Sequence, residues 1–428
     1  MTQATQSAPA APPAPAPALP GLPQASPTPV AASYTEDVPR LLNRLQLAAV
    51  AACVVFAVLS ALVQLLSWQA SGRAADNTEQ VVRVQQVQSL LLRADAVATN
   101  SYLSDGLEPA DARAEYDAAI DRTLRLITDA AEAQPADRRV LADLNATVSA
   151  YTNAVSQARD YNRQQLPIGI AYLNEAGTTL RADAQPIVQA LIDTNSERAE
   201  DEMGGQHPIW LLGLGVLAIV VVFWANRQVA RRFRRRFNVG LMTAAAVIGV
   251  LTIVAVGHAV LKNDDDDATR EGAYTAAVEA ATARTAANNA AAYDSLGLVN
   301  RGSGQSVYEP LYAAQSELVS QNTDGELGDL WVDYTQAHDA IRAADNEGRW
   351  NEAVATATGT DAASPRTRLA AFDDAAAAVV DQAGTEARDG FRAGGVLSVA
   401  LAVLTLLGSL VAAAAAARGI DVRRREFS

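Results

Sequence analysis

The sequence predicts an all-α membrane protein in which four transmembrane helices carry two extracytoplasmic antiparallel four-helix bundles in tandem. Four long apolar stretches divide the 428 residues symmetrically, and two acidic, helix-patterned segments lie between the first and second and between the third and fourth. Arginine clusters flank the stretches only on the side away from those acidic segments. The boundaries that follow are a Pro/Ala-rich cytoplasmic tail at 1–44, spans at 45–67, 208–225, 239–261 and 395–417, bundles at 68–207 and 262–394, an arginine-rich cytoplasmic link at 226–238 and a cytoplasmic tail at 418–428.

The stretches Leu45 to Leu66, Ile209 to Trp224, Val239 to Leu261 and Val396 to Ala417 contain no Asp, Glu, Lys or Arg. At about 1.5 Å rise per residue most can cross a hydrocarbon core of roughly 30 Å, and the short second one must borrow flanking residues. In lipid every backbone amide needs an internal partner, so each is a helix. The first reads as a retained span, because its apolar run is too long for a cleaved signal peptide and a Pro/Ala-rich tail precedes it. That tail holds more than half of the 17 prolines within its first 30 residues and cannot bury enough apolar surface to fold.

Orientation follows from arginine, which is retained on the cytoplasmic side. Arg40 and Arg44 precede the first span, Arg227, Arg231, Arg232, Arg234, Arg235 and Arg236 fill the link, and Arg418 with Arg423 to Arg425 follow the fourth span. The segment Trp68 to His207 carries net −9, Lys262 to Ala393 carries −13 and the remainder +8, which together make the chain's −14. Both termini are therefore expected in the cytoplasm and both bundles outside, in a multi-pass cell-membrane protein. An acidic chain of this kind has no nucleic-acid surface.

Within the first bundle four apolar seams recur at steps of three and four: Val84, Val87, Leu91, Ala94 and Ala98; Tyr116, Ile120, Leu124, Ile127 and Ala131; Leu141, Leu144, Val148, Tyr151, Val155 and Ala158; and Leu173, Leu180, Ala184, Ile187 and Leu191. Breaks near Ser104 to Pro109, at Pro135 and at Pro167 separate four helices. The second bundle repeats the plan with smaller side chains: Tyr274, Val278, Ala281 and Thr285 mark a first helix, Leu330, Tyr334, Ala337, Ile341 and Ala344 a third, and Leu369, Phe372, Ala376, Val379 and Ala383 a fourth. Its breaks are expected at Gly302 to Gly304, Asn322 to Gly328 and Gly348 to Pro365.

Because each bundle starts and ends at the membrane, Ser104 to Pro109, Gln165 to Tyr172, Arg301 to Glu309 and Asn346 to Pro365 become distal tips, on the order of 40 to 50 Å out for helices of about 30 residues. Tyr161, Tyr172, Tyr308 and Trp350 fall at or near these tips and are the candidate outer partner-binding residues. Tyr102, Tyr151 and Trp331 are assigned to the core. Arg231, Arg232, Arg234, Arg235 and Arg236 are the candidate cytoplasmic contacts, to lipid phosphates or to a partner. The run Asp264 to Asp267 fits an outer topology signal and a favourable charge at a helix N-terminus better than a cation site, since four successive helical residues point in four directions.

Catalytic chemistry is missing. The three histidines, His207, His258 and His338, and the single cysteine, Cys53, do not stand at metal-ligand spacing, and no phosphate-cradling loop or nucleophile elbow occurs. The expectation is a non-enzyme with no metal and no cofactor. Transport is disfavoured because the spans hold no acid or base at membrane depth.

These features carry two resemblances. Each outer bundle resembles the four-helix sensor domain of bacterial chemoreceptors and sensor kinases, although the second span is followed by too short a link for a kinase or methylated coiled coil. The whole layout, with abundant alanine, Lys262 as the only lysine, the arginine link and the ending Arg-Gly-Ile-Asp-Val-Arg-Arg-Arg-Glu-Phe, resembles the actinobacterial GlnX membrane proteins. That resemblance implies two partners, an extracytoplasmic glutamine-binding-type solute-binding lipoprotein and the cytoplasmic serine/threonine protein kinase G, with an amino-acid signal passed between them; a homo-oligomer is compatible with it. The alternatives are a receptor whose bundles bind a small molecule directly, and a structural cell-envelope protein.

Overall fold

The computed structural model describes residues 38–104, 107–233, 238–301 and 304–425. Among them the chain is helical, with no strand. Thirteen α-helices are formed by the described residues: α1 (Val38–Tyr102), α2 (Ala110–Ala133), α3 (Arg138–Arg163), α4 (Gly169–Thr178), α5 (Gln185–Met203), α6 (Pro208–Phe233), α7 (Val239–Thr269), α8 (Thr275–Val299), α9 (Gly304–Gln321), α10 (Gly325–Asn346), α11 (Trp350–Ala357), α12 (Pro365–Arg392) and α13 (Gly395–Arg425).

Four helical runs are long and apolar enough to cross a membrane, and they contain the four apolar stretches. Their inward faces form one cluster that includes Leu45, Cys53 and Phe56 of α1, Ala218 and Val222 of α6, Leu241 and Ile248 of α7, and Ala412 and Ala416 of α13. Small residues set the spacing, as expected where lipid supplies no hydrophobic drive between helices. A Cβ on Gly240 would meet the Cα of Gly419 at 2.6 Å, and one on Gly215 would meet Thr252. Gln64 Nε2 donates to Thr405 Oγ1 at 3.2 Å, a polar link between α1 and α13.

Beyond the spans the chain forms two helical modules. In the first, the C-terminal half of α1 packs with α2, α3 and the α4–α5 pair around Val84, Leu91, Tyr116, Leu141, Leu144, Val148, Tyr151, Leu180 and Leu191. The seam Leu141 to Ala158 is buried at every expected position. Leu124 departs from expectation: it is 37 % exposed, because the inner face of α2, which keeps the expected Tyr116 and Ile127, runs between them through Ala119, Thr123 and Leu126. The turn at Pro135 is anchored by Asp137, which accepts from Asn195 Nδ2 (2.9 Å) and Arg198 Nη1 (3.0 Å) on α5. Between α4 and α5 the helix widens into a π turn at Thr179–Ala184, immediately before Pro186, whose ring nitrogen cannot donate to the preceding turn.

The second module contains α8, α9, α10 and α12 around Ala287, Ala290, Tyr312, Trp331, Tyr334, Leu369 and Phe372. It differs from the four-helix expectation by a short extra helix, α11, inside the break between Gly348 and Pro365. Asp264 to Asp267 also differ from expectation. They lie inside α7, which continues through a π turn at Arg270–Tyr274 into α8, so no helix N-terminus stands there.

The modules lie side by side. α8 is buried nearly all round, because its alanines let α1, α9 and α12 approach closely. Ala96 of α1 belongs to the second module's core. At the distal end Leu103, Ala158 and Leu173 of the first module share a cluster with Leu298, Ile341 and Ala353 of the second. Polar links run the length of the contact: Gln86 to Asp381 (2.6 Å), Ser89 to Thr285 (2.9 Å), and Asn174 to Asn300 (3.1 Å).

Candidate functional site

Three regions gather the side chains that chemistry could use: the distal end, the contact between the modules, and the junction with the spans. At the distal end, Tyr161 on α3 stacks on Tyr172 of α4, with ring centroids 5.2 Å apart. Gly169 makes that turn possible, since a Cβ there would meet the Tyr102 hydroxyl at 2.5 Å and the Tyr161 Cβ at 3.2 Å. Trp350 opens α11; its indole N–H donates to the Leu298 carbonyl at 3.2 Å, and Arg301 covers its ring at 3.5 Å. Tyr161, Tyr172, Trp350 and the fourth candidate, Tyr308, are all half-buried. The flanking apolar side chains are the exposed ones: Leu107 (77 %), Ile168 (54 %) and Val307 (54 %).

Tyr308 lies elsewhere. It stacks on Tyr293 of α8, and Tyr293 receives the Arg181 guanidinium of the first module over its ring at 4.9 Å. The structure therefore brings Tyr161 with Tyr172, places Trp350 in the adjoining distal cluster, and puts Tyr308 at the contact between modules. Tyr102 is half-buried, while Tyr151 and Trp331 are core residues. On the link side, Arg231 ends exposed on α6. The side chain of Arg232 and all of Arg234, Arg235 and Arg236 lie outside the described residues.

The contact between modules is rich in buried charge. Arg181 Nη2 donates to Asp95 Oδ2 at 2.6 Å, and its guanidinium is held charged, since burial opposes but Asp95 and Tyr293 outweigh it. Within the second module Arg284 grips Asp373 with two bonds of 2.9 and 2.8 Å, and Asn288 adds a third at 2.6 Å. Burial alone would raise the Asp373 carboxyl; Arg284, Arg93 and Asn288 outweigh it and hold it below the usual carboxylate range.

His338 sits at the centre of a further group. Its ring stacks on Tyr312 at 3.6 Å, Nδ1 is 3.2 Å from Asp294, and Nε2 is 3.4 Å from Glu309. Arg342, one turn along α10, is 3.2 Å from Asp294. Burial pushes the imidazole down, but the adjacent Asp294 carboxylate and the charge of Glu309 prevail over it and over Arg342, and His338 titrates above its ordinary 6.5. A folded-state value above the unfolded one stabilises the protonated native form. That contribution is complete below pH 6.5 and is lost as pH rises through the folded value. Thermal unfolding followed at pH 6 and pH 8 should therefore show a less stable protein at the higher pH, and His338→Gln should flatten that difference. A slope of opposite sign, or one unchanged in the variant, would refute the assignment.

At the span junction, Lys262 is 5 % exposed. It pairs with Asp266 one turn on and donates to the Phe391 carbonyl at 3.1 Å, at the end of α12. Burial raises the Asp266 carboxyl against the opposing pull of Lys262 and Gln206.

Sequence reasoning missed this buried charge. Its signal was present in part: Arg284 and Asn288 lie one turn apart among alanines, and Asp373 adjoins a seam phenylalanine. Fold and site together describe an all-helical chain, among the described residues, with four helices that could span a membrane, as in a multi-pass membrane protein. More particularly, residues 70–204 match the family model of an actinobacterial sensor domain. No curated protein and no solved structure gives a significant match.

Proposed function

We propose that the chain is a non-enzymatic transmembrane relay. An extracytoplasmic solute-binding lipoprotein carrying an amino acid docks on the distal ends of the two modules, and the helices convey that event to the cytoplasmic face. There Arg231, Arg232, Arg234, Arg235 and Arg236 contact lipid phosphates and a serine/threonine protein kinase. The sensor-domain match supports the sensing role, and the resemblance to GlnX-type proteins supports the partners.

One observation carries the reading. α1 is unbroken from Val38 to Tyr102, and α7 passes through its π turn into α8 without a loop, so each continues from a span to the distal end. These two rods pack on one another, so a displacement of one would load the other. A ligand shifts such a pair only by its differential affinity for two states, typically about 1–3 kcal/mol.

The test uses the full chain in nanodiscs and the purified lipoprotein with and without its amino acid. Affinity should differ by at least about fivefold between the two forms, and Ile168→Asp with Val307→Asp should weaken binding. Equal affinity for both forms removes the relay's driving force. Orientation is checked in a Cys53→Ser background: a cysteine at Ser104 should react with an impermeant thiol reagent on intact cells and one at Arg231 should not. Asn226 is a poor reporter, since it is buried and accepts the Asn238 backbone N–H at 3.0 Å.

A further inference from the structure

Where α1 and α2 of the first module meet α8, α10 and α12 of the second, a cavity remains with about 30 Å³ of free volume, room for about two water-sized groups. Arg93, Glu115, Asp294, Ser295 and Arg366 supply its polar wall, and the larger part of its lining is apolar, including Val97 and Leu369.

Its charges are not equally engaged. Glu115 accepts from Arg93 Nε at 2.6 Å and from Arg366 Nη2 at 3.2 Å. Asp294 is 3.2 Å from both His338 and Arg342, and Arg366 also reaches Asp111 at 3.0 Å. Arg93 is 8 % exposed; its Nε and Nη2 both hold Glu115, while its Nη1 is buried with no acceptor, and Asp294 Oδ1 and Arg342 Nη2 are likewise buried without a hydrogen-bond partner. A guanidinium N–H in a low-dielectric site without an acceptor is costly, and a carboxylate oxygen would give Nη1 a charge-assisted bond. Ser295, also buried, lies 3.5 Å from Asn100 Nδ2 as an acceptor, which leaves its hydroxyl proton available to a second oxygen.

We propose that this cavity is a binding site for a compact carboxylate of about the size of acetate. One oxygen accepts from Arg93 Nη1, the other from the Ser295 hydroxyl, and the apolar remainder lies against Val97 and Leu369. The small volume and the apolar wall favour a planar, singly charged group over tetrahedral phosphate, which is bulkier and more strongly hydrated. The site goes beyond the relay reading and stands without it, since occupancy needs no lipoprotein.

Titration calorimetry on the full chain in nanodiscs tests it, with sodium acetate against sodium chloride at equal ionic strength. One acetate should bind per chain. Arg93→Gln and Val97→Phe, the second of which fills the cavity and leaves every charge in place, should each weaken it at least tenfold. Ser295→Ala, the mildest change, should weaken it severalfold with the melting temperature retained, whereas Arg163→Gln at the distal tip should have no effect. Absence of acetate binding by the unaltered chain would mean that the cavity holds water only, and would overturn the proposal. So would binding that survives both Arg93→Gln and Val97→Phe, or phosphate binding as tight as acetate. None of these results bears on the lipoprotein assay, so the two readings fail separately.

Discussion

Asp373→Ala should be the most destabilising single change in the second module, by about 3–5 kcal/mol, because it strips a buried arginine of its counter-charge. Asp373 is 4 % exposed and Arg284 8 %, and the carboxylate takes both bonds of the guanidinium fork as well as the Asn288 amide. With the carboxylate gone, Arg284 cannot reach water, and Asn288 loses an acceptor at the same time. The pair also lies at the contact between modules, since the Arg93 charge acts on Asp373. Thermal unfolding in nanodiscs should show the loss. The double variant Arg284→Met with Asp373→Leu should recover most of it, because well-packed apolar groups of similar volume often replace a buried pair without loss. Recovery separates an uncompensated charge from simple loss of packing. A single variant that melts like the unaltered protein would show that water reaches Arg284.

The architecture was readable in the sequence where its cause is local. Spans follow from composition, and the α3 seam from Leu141 to Ala158 follows from the helical repeat. Leu124 misled because Thr123 and Leu126 share the inner face of α2 with the expected Tyr116 and Ile127. What was not legible is how the modules meet. α8 is built of alanine, which carries no facial signal, so nothing in its pattern reveals that α1, α9 and α12 surround it. The pairs that cross that contact join residues far apart in sequence: Arg181 with Tyr293, Ser89 with Thr285 and Arg366 with Glu115. No local propensity encodes such pairings. They become visible only when the fold assigns neighbours, and the same holds for the Arg93 Nη1 left without an acceptor and for the cluster around His338.

The junction at Lys262 yields the prediction with the greatest functional reach. α12 ends at Arg392 and α13 begins at Gly395, with Gly394 at φ +75 between them, a conformation that glycine adopts without strain. The second module is thus joined to its exit span by a bend, and Lys262 of the entry helix spans it: its ammonium pairs with Asp266 and donates to the Phe391 and Gly390 carbonyls at 3.1 and 3.4 Å. A cation at the final carbonyls of a helix both caps them and opposes the macrodipole. Lys262→Met should cost on the order of 3 kcal/mol, the range for breaking a buried pair, reduced to the extent that Asp266 takes up a proton, a step its raised carboxyl value makes easier. The more telling readout is local: hydrogen exchange at the last turn of α12 should accelerate at least tenfold, about 1.4 kcal/mol of lost protection, while exchange in α3 stays unchanged. Lys262→Arg should keep most of the protection, and Asp266→Asn should keep the carbonyl contacts while removing the charge pair. If the modules signal through their spans, Lys262→Met should also uncouple lipoprotein binding from the cytoplasmic response with binding itself retained. Unchanged exchange at α12 would mean that the bend is held by apolar packing around Phe391, and Lys262 would then have no coupling role.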